Sequence, residues 1–334
     1  MTVDFIKSQT RCQKTINHFE NHTLLLWVSE TEKLLFGDIE IITTHKIKKY
    51  KGIYFAFHPN RLDIYFKPHY YFNNNLHNAN DFYVRDCIKT ILEFREIFEI
   101  DLLQLKIVNI EFGVNIIAPV DVKDLLDLII YHDKNKFHTD VGLPYSKRSY
   151  KPQKDGTANE YKIIKAYAKG IQQPEYCNKN TFRFEVKSKE SKYINQLGIH
   201  TLNDLLKKEV YNKLAEKINE EFNKLLILDT ITNFKNLNVK DQKTIEMYNN
   251  PLVWNKIIKN PYRNNFCNHK NTYLSLINKV EHNLKNQMQK LISEKLDTLK
   301  KGAISTANKK TKYVQFPLYI SVETAQNNTK HFLN

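Results

Sequence analysis

Three residues have types and positions that could do chemistry together: Tyr167, Glu185 and Glu111. Tyr167 stands in KAYAKG (165–170), where a period of two puts Lys165 and Lys169 on its face. A phenol has an unperturbed pKa of about 10. To attack a phosphodiester it needs cations that favour the phenolate, with the phosphate's own charge screened by metal and lysine. Glu185 is the carboxylate of FRFEVK (182–187), lying opposite the apolar face of Phe182, Phe184 and Val186 and flanked by Arg183 and Lys187. Glu111 is the carboxylate of NIEFGVNI (109–116), opposite Ile110, Phe112, Val114 and Ile116. If both strands bury their apolar faces, both glutamates stand on the open face. Two carboxylates there could hold Mg²⁺ or Mn²⁺, which take oxygen ligands and keep waters for a phosphate to replace. Gly113, beside Glu111, would leave room for a nucleotide. Taken singly, each glutamate also reads as a solvated strand residue and the tyrosine as one of 19 that pack.

The elements that must position these residues are legible in the hydrophobic pattern. KGIYFAFHPNRLDIYFK (51–67) reads as a hairpin turning at HPNR. Residues 78–100 carry Phe82, Val84, Cys87, Ile88, Ile91, Leu92 and Phe98 at helical spacing, and 105–119 alternates as a strand. Residues 121–132 read as a helix opening at Asp121 with Asp124 in its first turn. The stretch 142–160 reads as a loop or turn segment, followed by strands at YKIIKAYAKG and TFRFEVK. Residues 201–226 form a periodic helix capped by Thr201, with further helices beyond, notably 271–301, and a returning strand at 312–320. The expected fold is α+β: an RRM-like antiparallel sheet with helices on one face, then a mostly helical C-terminal region. The expected domains are 1–200 and 201–334.

Charge separates the parts of the chain. Its 334 residues hold 51 Lys and Arg against 36 Asp and Glu, a net of +15. Residues 1–141 carry 17 basic and 19 acidic groups; 142–192 carry 12 and 5; 193–334 carry 22 and 12. The basic excess begins at GLPYSKRSYKPQK, which holds Lys147 and Arg148, and a surface of this kind addresses phosphate. Interleaved aromatic and basic residues in NPYRNNFCNHKNTY and TLKKGAISTANKKTKYVQF could stack unpaired bases. Four scattered cysteines give neither a disulfide framework nor a zinc ribbon. With no apolar run of about 18 residues and no leader pattern, a cytoplasmic protein off the membrane is expected.

AYAKGIQ (166–172) followed by FRFEVKSKESKYINQLGIHTLNDLL (182–206) resembles the core of the replication-initiation proteins of filamentous phages and related plasmids, rolling-circle nickases with an HUH-like fold. The likeness runs through Tyr193, Leu197, Gly198 and Ile199, and more weakly through NIEFGVNI and DIYFKPHYYFNNNLHN (63–78). It implies Tyr167 as the nucleophile joined to the 5′ phosphate of nicked DNA, Lys169 as its assistant, and Glu111 and Glu185 as ligands of Mg²⁺ or Mn²⁺. His77 and Asp63 are both candidates for a third ligand. The chain departs from the wider superfamily in having no His-hydrophobe-His triplet. Lys165, Arg183, Lys187, Lys147 and Arg148 are expected on the DNA, and Tyr161, six residues from Tyr167, is a candidate second nucleophile. The expected function is nicking and rejoining of single-stranded or supercoiled origin DNA, with host replication helicase and polymerase as partners. The alternative is a non-catalytic DNA-binding control protein of a plasmid or phage.

Overall fold

Alternating strands dominate the first two thirds of the chain. The computed structural model describes residues 2–28, 46–140, 142–229, 237–262, 264–280 and 283–301. Twelve strands lie among them: β1 (Thr2–Thr10), β2 (Leu26–Trp27), β3 (Lys46–Tyr50), β4 (Ile53–His58), β5 (Arg61–Phe66) and β6 (Lys106–Ile117), then β7 (Ile129–His132), β8 (Asn135–Thr139), β9 (Ser146–Pro152), β10 (Ala158–Ala168), β11 (Thr181–Ser188) and β12 (Leu225–Ile227). They form one sheet in the order β12-β7-β8-β9-β10-β11-β6-β1-β5-β4-β3-β2. Neighbours are antiparallel throughout.

One face of the central strands is apolar and covered by helices, as the α+β expectation requires. Ile110, Phe112, Val114 and Ile116 of β6 join Phe182, Phe184 and Val186 of β11 and Ile164, Ala166 and Ala168 of β10 in the main core. The helix Val84–Phe98 adds Cys87, Ile91, Phe94 and Phe98; Lys208–Asn223 adds Tyr211, Leu214, Ile218 and Phe222; Leu284–Lys301 adds Met288, Ile292, Leu296 and Leu299. Each set recurs three or four residues apart, the stripe that a helix must bury. Phe222 meets Phe184 edge-on at 5.3 Å, and burying such a ring stabilises by about 2–3 kcal/mol. Residues on both sides of position 200 thus share one core. A smaller cluster around Trp254, Phe266 and Tyr273 packs on Tyr131, Leu226 and Leu228 at the β7–β12 end.

Several segments differ from the sequence reading: the helix expected over 201–226 is a 3₁₀ turn at Leu202–Leu206, a helix at Lys208–Asn223 and strand β12, and that over 271–301 is two helices, Asn265–Ile277 and Leu284–Lys301. The helix expected over 121–132 stops at Leu128, because Ile129, Ile130 and Tyr131 continue as strand β7; β-branched and aromatic residues favour that state. Residues 142–160 hold strand β9 and the start of β10, joined through Gly156 at φ 82°. Their lysines mask the alternation. The N-terminal strand β1 escapes notice because register shifts at Val3/Phe5 and Lys7/Ser8 break its period. The strand expected at 312–320 lies outside the described residues.

Candidate active site

The face of β10, β11 and β6 opposite the helices brings together several of the residues expected at the site. In register, Lys165 of β10 stands beside Glu185 of β11 and Tyr167 beside Arg183. Across the next pair, Arg183 meets Asn115, Glu185 meets Gly113, and Lys187 meets Glu111 of β6. Alternation alone therefore collects Tyr167, Lys165, Arg183, Glu185, Lys187 and Glu111 on one side of three strands. Gly113 is what lets them converge. A β-carbon there would lie 2.7 Å from Glu185 Cγ and 2.5 Å from the Phe184 carbonyl oxygen. The room expected for a nucleotide at Gly113 is filled by the Glu185 side chain instead.

Tyr167 donates its hydroxyl proton to Glu185 Oε1 at 2.7 Å. Arg183 Nε donates to the same oxygen at 2.5 Å and Nη1 to Asn115 Oδ1 at 2.6 Å, while Nη2 pairs with Asp4. Lys165 Nζ lies 2.7 Å from Glu111 Oε2 and 3.7 Å from Glu185 Oε2. Lys187 Nζ holds the other Glu111 oxygen at 2.7 Å. Burial by itself would raise both carboxyls, but the cations win. Glu185 is held down to about 2 by Arg183, Lys165 and the Tyr167 hydrogen bond, and Glu111 is lowered by Lys165 and Lys187. Tyr167 moves the other way: burial and the adjacent Glu185 push its phenol well above 10.

This face is not open. Tyr167 is 8 % exposed, Glu185 3 % and Arg183 0 %. The short helix Pro68–Phe72 and the turn after it lie against β1 and roof the cluster. His69 is stacked on Phe82 at 4.7 Å and contacts Asp4 Oδ1 at 3.4 Å and Asn80 Oδ1 at 2.8 Å. Asn78 donates to Asp4 Oδ1 at 3.2 Å and accepts from Lys169 Nζ. Lys169 starts the helical turn Lys169–Gln172, with its ammonium 5.6 Å from the Tyr167 ring centre. Burial brings its pKa down to about 8. Gln173 accepts from the Asn78 backbone and donates to Tyr70 Oη at 2.8 Å, tying the roof to the turn after β10.

The other expected residues are scattered. His77 sits at the rim with its ring on Tyr176 at 4.0 Å. Asp63, on β5, pairs with Lys7 and Arg61. Arg148 is in register with Lys165 but binds Asp140 at 2.7 Å. Lys147 is opposite Ala166, on the helix-covered face, and donates to the Leu126 carbonyl. Tyr161 lies within the irregularity between Ala158 and Ile163, packs edge-on against Tyr193 and donates to Gln196, away from Tyr167. Sequence reasoning missed Asp4, His69, Asn78 and Asn115. Asn115 shares its strand face with Glu111, so alternation pointed to it. Asp4 is hidden by the β1 irregularity, and His69 and Asn78 by their place on a short helix and a turn.

As they stand, Glu111, Glu185 and His77 do not fit a divalent cation. The Lys165 ammonium occupies the space between the two carboxylates, and Lys187, Arg183 and Tyr167 take their remaining near oxygens. Among the described residues, the group with ligand atoms close enough for a metal is His132, Asp133 and Glu221, all within 4.8 Å. There too lysines compete: Lys162 and Lys224 contact Glu221 at 2.8 and 3.0 Å, and His132 Nε2 lies 2.8 Å from it. Glu221 belongs to the helix carrying Phe222, so this group is on the opposite side of the sheet from Tyr167.

No helix among the described residues is long and apolar enough to cross a membrane. No family model matches the chain, and no curated protein does. A solved structure similar to it is the rolling circle replication initiator protein from Geobacillus stearothermophilus, at 9 % identity and a TM-score of 0.39. The match covers 70 % of this chain and 89 % of that one. A likeness that loose assigns the chain to no family.

Proposed function

We propose that this protein nicks and rejoins DNA by transesterification at Tyr167, initiating replication at an origin. One observation carries the reading: a tyrosine hydroxyl 2.7 Å from a buried carboxylate, on a face with more cations than carboxylates. Lys165, Lys169, Lys187 and Arg183 face Asp4, Glu111 and Glu185, an excess that an entering phosphodiester would neutralise. Tyr167 Oη would bond to phosphorus as the P–O3′ bond breaks. The phenol proton passes to Glu185, and Lys169, its pKa lowered by burial to about 8, protonates the departing 3′ oxygen. A phosphate that draws Lys165 toward itself also loosens its hold on Glu185 and makes that carboxylate a better base. The products are a 5′-phosphotyrosine and a free 3′-OH, ready for a host polymerase. The basic region 201–334 would grip the DNA backbone, giving strongly salt-dependent binding.

A second reading, a DNA-binding control protein that cuts nothing, is favoured by the burial of Tyr167 and by its phenol being held protonated. Under the first reading, the roof formed by residues 68–80 opens when DNA binds. Incubating the protein with cognate single-stranded origin DNA and running a denaturing gel separates the two. A covalent adduct supports nicking; its absence from DNA that binds supports the control protein.

A further inference from the structure

Two carboxylates on neighbouring strands, sharing one cation between them, make the arrangement in which a divalent ion is ordinarily found. Here the shared cation belongs to the chain. Lys165 is directly opposite Glu185, and its ammonium reaches past that residue to Glu111 on the strand beyond. It can do so because the position between them on β6 is Gly113, with no side chain in the way. The second oxygen of Glu111 is held by Lys187, and Oε1 of Glu185 by Arg183 and Tyr167. A metal ion would have to displace the ammonium and then face Lys187 and Arg183 at close range.

We propose that Lys165, fixed between Glu111 and Glu185, stands in the place of a divalent cation, and that the site binds no metal and handles its phosphate with the chain's own cations. The inference rests on the reading of Tyr167 as a nucleophile only for the phosphate; the ion site can be tested without it. Its consequence is that removing the ammonium should create a metal site where the native chain has none.

The test uses the full chain, stripped of metals and titrated with Mn²⁺ alone, with free ion followed by electron paramagnetic resonance. The native protein and Glu111→Gln should take up the same number of Mn²⁺ equivalents. Lys165→Gln should gain one equivalent, lost again when Glu111→Gln is added. If the native protein binds an equivalent that Glu111→Gln removes, the proposal is overturned; this arm does not depend on the folding of the Lys165 variant. A second arm measures adduct formation on origin DNA in EDTA. A rate within about threefold of that in Mg²⁺ supports the proposal, and a hundredfold loss overturns it. Failure of the nucleophile reading shows differently, as no adduct with or without metal while the Mn²⁺ result still decides the ion site.

Discussion

Glu185 and Glu221 are both buried glutamates clamped by cations, on opposite faces of one sheet. Glu185 is held by Arg183 and Lys165, and Glu221 by Lys162, Lys224 and His132. Both have carboxyls held well below the usual range, because the surrounding cations outweigh burial. The difference lies in what else each touches. Glu185 accepts from the phenol proposed to attack phosphorus; Glu221 ties a helix to the β7 and β10 strands through Lys162, Lys224 and His132. Charge pairing in a protein interior is common to framework and to catalysis, so it does not identify a site. The extra hydroxyl, donated by Tyr167 to Glu185, sets the first cluster apart.

Substitutions can sharpen that contrast. Tyr167→Phe should reduce adduct formation to background while costing only about 1 kcal/mol of stability, the value of one hydrogen bond. Glu185→Gln should slow the adduct by about 10²- to 10⁴-fold and leave DNA binding measured by anisotropy largely intact. Lost binding would make Glu185 a framework residue like Glu221. Glu221→Gln should leave the adduct rate unchanged but lower stability by about 1–3 kcal/mol in a urea melt, since two lysines lose their counter-charge.

The pH dependence follows from the same groups. Glu185 titrates lower in the folded chain than unfolded, so its contribution is complete above about 4.5 and is lost as pH falls through about 2. Lys169 is also depressed, to about 8 from 10.5. Stability should therefore rise as pH climbs from about 8 toward 10.5, while the adduct rate falls over the lower part of that range as the acid form disappears. Lys169→Arg should remove the fall, which a pH–rate profile would show.

Much of this was legible in the sequence. Strict alternation in NIEFGVNI and FRFEVK placed Glu111 and Glu185 on the face away from Phe112 and Phe184, and the structure has them there. Their environment was not legible. Alternation reports which way a side chain faces and says nothing of what lies over it, so the roof of residues 68–80 and the burial it causes were out of reach. Asp4 was lost to a register shift that places Val3 and Ile6, three apart, in one core. Tyr161 was misplaced for the same reason, since an irregular strand does not keep its period.

The central claim is that Tyr167 forms the bond to DNA. Trypsin cleavage after Lys165 and Lys169 releases residues 166–169 as a peptide with a single tyrosine. After reaction with origin DNA and nuclease trimming, mass spectrometry should find the nucleotide on that peptide. A nucleotide carried by the peptide containing Tyr70, or on no tyrosine at all, would contradict the account.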